Sequence, residues 1–199
     1  MIHRFNSCIG LAWLGLMLSG WVASAAPTAS LQWELTPLTT NEVRQVFRPA
    51  PKTRAVVFQF LGTECPIANR VLPELDRLAR EYQSQGIQFV AVYSNFTETA
   101  EGVRQQRAEA GVSGAAGLDP NQALADQLGV TVTPELVVLT PDGKLIYRGR
   151  VNDQYAGLGQ GKPAPQRHDL AEALAEFVKS GQPAGIQTKP AGCRIQRRP

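Results

Sequence analysis

Histidine and cysteine are scarce in this chain, with two and three among 199 residues. No C-x-x-C pair and no H-x-x-x-H spacing occurs. A multi-histidine metal site is therefore excluded, and a Cys/Cys/His site lacks the usual ligand spacing, so no metal is expected. No apolar run reaches the ~20 residues of a bilayer span. The run Ile9–Val22 has 14 residues and is interrupted by Gly10, Gly15, Ser19 and Gly20. An excess of one charge is missing too: 20 Lys and Arg against 17 Asp and Glu leave +3, which gives no argument for nucleic acid. The basic end Arg194–Arg198 is short and terminal and reads as a solvated tail. No internal repeat is visible.

What is present begins with an export signal. Arg4 precedes the apolar run, and Ala23-Ser24-Ala25 closes it in an A-x-A cleavage pattern. This predicts a secretory signal peptide over 1–25, cut after Ala25, with no stable membrane span afterwards and a periplasmic or extracellular location. Arg4 is the one formal charge removed, so the remaining chain carries +2 and has the length of one domain. Cys8 leaves with the signal. Cys65, Cys193 and His168 stay. In an oxidising compartment thiols tend to pair, and two cysteines allow one connectivity.

Periodicity then sets out an α/β domain over 28–181 and a flexible tail, 182–199, carrying Cys193. "LQWEL", Leu31–Leu35, alternates like an edge strand. Thr39–Arg54 reads mostly as loop, with a helical turn at Asn41–Phe47. "AVVFQF", Ala55–Phe60, and "IQFVAVYS", Ile87–Ser94, are buried strands. Between them Ile67, Val71, Leu75, Leu78 and Tyr82 share one helix face. Pro66 suits the first helical position. Pro73 falls inside the helix and predicts a kink. A capped helix over Thr97–Gly111, a turn with a short helix in "DPNQALADQLGV", a β-hairpin of Glu135–Leu139 and Lys144–Arg148 around "TPDG", a Gly/Pro-rich loop from Val151 to Gln166, and a helix over His168–Gly181 complete the domain. The order predicts a mixed sheet with helices on its faces.

In this order the chain resembles the thioredoxin superfamily, specifically exported redoxin-domain proteins of the TlpA-like and AhpC/TSA-like kind. Four features over roughly Ala55 to Lys179 carry the resemblance: Cys65 between a buried strand and a helix, Pro73 eight residues later, "DPNQALADQLGV", and "GVTVTPELVVLTPDGKLIYRG" with Thr133-Pro134 at the cis-proline position. "YRGRVNDQY", "PAPQRHDL" and "AGC" are similar to a less studied subgroup of such proteins. The resemblance implies a thioredoxin-like mixed sheet flanked by helices on both faces, a cis Thr133–Pro134 bond, and a Pro134 loop beside Cys65 that receives a substrate strand. It implies no cofactor, with electrons coming from a partner thiol. The motif departs from the family pattern. Cys65-Pro66-Ile67-Ala68 is a single cysteine in place of C-x-x-C, Glu64 replaces the usual aromatic residue, and Gln59 replaces the usual buried carboxylate. A peroxiredoxin would carry Thr or Ser where Gly62 stands, and here Thr63 is one position off.

The residues themselves bear on reactivity. Cys65 at a helix start meets free backbone N–H groups and the positive end of the helix dipole, which favour thiolate. Glu64 opposes this, less so if it faces solvent. A partly exposed, reactive thiol is the expectation, against an inert packed cysteine. Cys193 lies 14 residues beyond Lys179. Such a span typically reaches ~20 Å as a coil, more than the ~15–16 Å radius of the domain. Cys193 could resolve Cys65, form a permanent bridge worth about 4–5 kcal/mol, or face another chain. Arg148 and Arg150 share one face of a strand, and one of them, Arg150 by choice, could offset Glu64 near the thiol, although a solvated edge strand also accounts for both. His168 sits at a helix start with Asp169 as first-turn anion, and a general-base role is open to it.

These readings converge on an exported thiol-disulfide oxidoreductase. Cys65 is the nucleophile, Cys193 the candidate resolving cysteine, and Thr133 and Pro134 the substrate-docking pair, with Thr63, Glu64, Pro66 and Arg150 in support. Its partner is a thiol- or disulfide-bearing protein or an electron-donor thiol. Peroxide reduction is the weaker form, because of Gly62. The alternative is a non-catalytic binding module that docks a partner near the Pro134 loop, favoured by Ala68 and Gln59.

Overall fold

The computed structural model describes residues 30–39 and 44–198. The expected signal peptide, 1–25, lies outside the described residues, as do 41–43 of the expected turn at 41–47. Within that turn, Gln45–Phe47 is a strand, β2, paired antiparallel with β1 (Trp33–Pro37). Val46 and Phe47 have the extended, apolar-bearing pattern that pairs well with Trp33, whose ring stacks on Phe47.

The centre is β3 (Ala55–Leu61), buried along its whole length. Ala55, Val57 and Leu61 face one apolar cluster, and Val56, Phe58 and Phe60 face another. Two covered faces are the reason the run is apolar throughout rather than alternating. β4 (Ile87–Tyr93) pairs with β3 in parallel, from Ala55↔Ile87 to Leu61↔Tyr93. The crossover is α1 (Pro66–Gln83), which buries Ile67, Val71, Leu75, Leu78 and Tyr82 as the spacing requires. Each such side chain contributes about 1.5–3 kcal/mol relative to exposure. α1 is continuous through Pro73, which lies on the exposed side.

Next come α2 (Ala100–Glu109), capped by the Thr99 hydroxyl on Gly102 N, β5 (Ala115–Leu118) and α3 (Ala123–Gln127). β6 (Val132–Thr133), β7 (Glu135–Leu139) and β8 (Leu145–Gly149) follow. The glycine-rich stretch after β8 is not wholly loop, since β9 (Tyr155–Gly157) and β10 (Gln160–Gly161) form a small hairpin there. α4 (Asp169–Ser180) ends on Gly181, whose positive φ closes the helix. The tail that shows no periodicity carries two more strands, β11 (Ile186–Gln187) and β12 (Cys193–Arg194).

The main sheet has eight strands in the order β11-β8-β7-β3-β4-β5-β1-β2. β3, β4 and β5 are parallel, and β7 runs antiparallel to both β3 and β8. This is the mixed sheet expected, but its edges differ. β1 lies inside, covered by β2, and β8 is covered by β11 from the tail, so Arg148 and Arg150 are not on an open edge. Residues of α1, α2 and α4 fill one apolar cluster, and α3 with Trp33, Leu35 and Ile195 fills the other.

Candidate active site around Cys65

β3 delivers the chain to Gly62, and a tight turn with Cys65 N bonded to Gly62 O at 3.2 Å starts α1. Cys65 is the N-cap residue, with extended backbone, and Pro66 occupies the first helical position without needing an N–H partner. The Cys65 thiol donates to the Thr133 carbonyl at 3.0 Å. The Thr133–Pro134 bond is cis. Cys65 and the 133–134 loop therefore meet, as the resemblance implied.

Cys65 is not partly exposed, as the helix position alone led us to expect. It is 3% exposed. It sits in the apolar cluster of α1 and β3, and Cys193 of the tail packs against that cluster. β12 pairs antiparallel with β6, with Cys193 opposite Thr133 and Arg194 opposite Val132. Gly192 passes so close to Thr133 and Pro134 that a β-carbon there would run into the Thr133 carbonyl. Beyond Cys193, Ile195 N donates to Thr131 O at 2.9 Å, and its side chain, 6% exposed, joins the apolar cluster under β3 and β4. Arg197 closes on Asp126 with nitrogen–oxygen distances of 2.5 and 3.3 Å. Residues 182–199, expected as a flexible tail, are thus laid along the domain from Ile186 to Arg197. Alternate burial of Ala191 and Ile195, with main-chain bonds between, replaces the periodicity of a longer element.

The two thiols are both free. Burial first, then a hydrogen bond and charge interaction with Cys65, push the Cys193 thiol up from 9.0 to about 12. Cys193 is accordingly protonated at neutral pH.

The supporting residues divide. Glu64 and Pro66 are exposed, so solvent screens the Glu64 charge. Thr63 is held by Glu98, with its N–H donating to Oε1 at 3.1 Å and its hydroxyl to Oε2 at 2.8 Å. Arg150 is committed to the buried Asp169 at 2.7 Å rather than to the thiol. Arg148 serves Glu135 at 2.7 Å and the carbonyls of Leu128 and Gly129. Burial nonetheless raises the Glu135 carboxyl above its ordinary value. The His168 Nδ1 bonds Glu74 Oε1 at 2.7 Å. Among the described residues no cluster of acidic, His and Cys side chains has the makings of a metal site.

Sequence reasoning missed Asn95, Glu98 and Gln122. Asn95 Nδ2 donates to Glu98 at 2.8 Å, while its Oδ1 accepts from Gln196 N at 2.9 Å. One amide thus joins the loop before Cys65 to the tail. Gln122 Nε2 donates to Gln196 O at 2.8 Å. The available signal was position: Ser94 and Asn95 follow the carboxyl end of β4, where α/β sheets place their sites. A cavity of about 800 Å³ lies elsewhere, between the later turns of α1 and the entry to β3 and β4, and Cys65 is not in its lining.

The Redoxin family model matches residues 22–159. The thiol-disulfide oxidoreductase ResA of Halalkalibacterium halodurans is 27% identical over 103 residues, 51% of this chain and 57% of the relative. The chain thus spans less than two thirds of that relative's length. A solved structure of an uncharacterized conserved protein from Geobacillus kaustophilus superposes with a TM-score of 0.71 at 25% identity, covering 85% of this chain and 90% of the other. A thioredoxin-like protein from Aeropyrum pernix superposes with a TM-score of 0.55 at 16% identity, covering 73% and 89%. The fold is therefore thioredoxin-like.

Proposed function

This chain belongs to the Redoxin family of the thioredoxin superfamily, and from that premise we propose that it is an exported thiol-disulfide oxidoreductase with Cys65 as nucleophile and Cys193 as resolving cysteine. The observation that carries the proposal is the pairing of Cys193 with Thr133, the residue whose carbonyl holds the Cys65 thiol. The missing second cysteine of C-x-x-C, at Ala68, is supplied from the tail. The signal-like run before Ala25 supports export, and among the described residues no helix is long and apolar enough to cross a membrane.

The exchange balances as follows. Cys65 thiolate attacks one sulfur of a partner's disulfide. That S–S bond breaks, a Cys65–partner bond forms, and the second partner sulfur leaves as thiolate and takes a proton. Cys193 then attacks Cys65 Sγ, giving a Cys65–Cys193 disulfide and releasing the partner's remaining sulfur, which takes the proton Cys193 gave up. Two electrons pass to the partner, and a donor dithiol returns them by the reverse steps. Once Cys65 is in a disulfide it bears no charge and is a poor acceptor for the Cys193 S–H. Two of the three causes that raise Cys193 then disappear, leaving burial alone. The resolving thiol is thereby activated after the first step.

Peroxide as the oxidant is the weaker form of this reading. A β-carbon at Gly62 would stand 2.9 Å from Asn95 Nδ2 and 3.1 Å from Thr133 Oγ1, so a hydroxyl side chain there would have to displace the Asn95 amide. The burial of Cys65 supports the rival reading, a binding module without turnover. Exposure to oxidised glutathione followed by mass spectrometry separates the two. The oxidoreductase yields an intramolecular Cys65–Cys193 disulfide that dithiothreitol reverses, and Cys193→Ser retains glutathione on Cys65. Two thiols that stay unmodified in the folded chain would leave the binding module standing.

A further inference from the structure

The tail occupies its site on the domain as an extended peptide. The domain's contacts to the segment Gly192–Arg197 are of four kinds. The β6 edge pairs with the main chain at Cys193 and Arg194. An apolar recess takes Ile195. Gln196 is held through its backbone, with N donating to Asn95 Oδ1 and O accepting from Phe96 N at 3.1 Å and from Gln122 Nε2. Asp126 takes Arg197. Nothing but Gly192 fits where the strand crosses Thr133 and Pro134. The ladder itself is short, because β12 has two residues and pairs with the two residues of β6, and contacts of Ile195, Gln196 and Arg197 extend the hold beyond it. Cys65 cannot be reached while the strand is down, being 3% exposed beneath it.

We infer that this groove is the docking site for a partner polypeptide, that Gly192–Arg197 is its resting occupant, and that the partner displaces it with an extended segment of the form glycine–cysteine–polar–aliphatic. This rests on the oxidoreductase reading for what happens next. The partner's cysteine takes the place of Cys193 opposite Thr133 and faces Cys65. Return of the tail then both expels the partner strand and brings back the resolving thiol. Tail and partner compete for one set of main-chain bonds, so each turnover requires the strand to leave and come back. An aliphatic residue two positions after the cysteine gives the preference, since Ile195 is the side chain this site buries.

The test uses the full-length chain and the peptide Ala-Gly-Ser-Arg-Ile-Gln-Arg-Arg, which copies the tail without its thiol. Gly192→Val should lift the strand and raise the rate of iodoacetamide labelling at Cys65 by at least about tenfold. Added peptide should restore the slow rate in that variant and change nothing in the parent. The same peptide with Asp in place of Ile should not protect. Ile195→Asp, which leaves Gly192 in place, should behave like Gly192→Val and carries the test if the latter loses its fold. An unchanged Cys65 rate in both variants overturns the inference, as does a raised rate that peptide fails to suppress. So does a concentration-dependent slowing with dimer formation, which would seat a second copy's tail in the groove. None of these readouts uses disulfide exchange, so the groove can fail while the glutathione experiment succeeds, and the reverse.

Discussion

Cys193 stands opposite Thr133 in an antiparallel pair, and the Thr133 carbonyl accepts the Cys65 thiol at 3.0 Å. One residue of the cis-proline loop thus addresses both sulfurs. The tail strand sets the register, and the register places the second thiol.

The raised Cys193 value has a sign that can be checked. The folded chain binds this proton more tightly than the unfolded chain, so the contribution to stability is intact below 9.0. It is lost progressively as the pH climbs to about 12. Above about pH 9 the parent should lose urea resistance more steeply than Cys193→Ser. Iodoacetamide should also label Cys193 slowly near neutrality until the chain is unfolded.

Arg148→Ala should cost about 3–5 kcal/mol, because it strands the buried Glu135 carboxylate and two carbonyl oxygens. Glu135→Gln should cost less, since it removes the buried charge and burial already favours the protonated carboxyl. Urea unfolding of the two variants decides the order. An equal loss would show that Arg148 acts through its packing alone.

Glu98→Gln tests the link between the Cys65 loop and the tail. It removes the charge from three hydrogen bonds, two to Thr63 and one to Asn95. A loss of about 1–3 kcal/mol is expected. Faster labelling of Cys65 should accompany it, because Asn95 also holds Gln196. A stability loss with unchanged Cys65 labelling would confine Glu98 to the loop.

Gly62→Thr restores the residue a peroxiredoxin would carry, and it should not bring peroxide reduction with it. The new β-carbon meets Asn95 Nδ2 and Thr133 Oγ1 inside ordinary contact. Overpacking of this kind costs about 1–3 kcal/mol. Peroxide consumption and thermal unfolding of the variant, measured together, check both halves.

Elements that repeat a local pattern could be read directly from the residues. α1 shows its face through Ile67, Val71, Leu75, Leu78 and Tyr82, and β3 and β4 through unbroken apolar runs, because burial on a period of 3.6 or on both faces of a strand leaves its mark in consecutive residues. Cys65 at the strand-to-helix junction and Pro134 after Thr133 could be placed for the same reason. The two-residue strands β6 and β12 leave no such mark. Their existence depends on each other, and each supplies too few side chains for a period to show. Thr63, Arg150 and His168 were recognisable as polar residues near the site, but their partners Glu98, Asp169 and Glu74 come from other elements. The sequence by itself determined a redoxin domain with one cysteine at a helix start. Only the tertiary structure decided that the second cysteine lies beside the first, because that contact is made by a tail whose path is set by main-chain bonds, which any sequence can form, and by a single buried isoleucine.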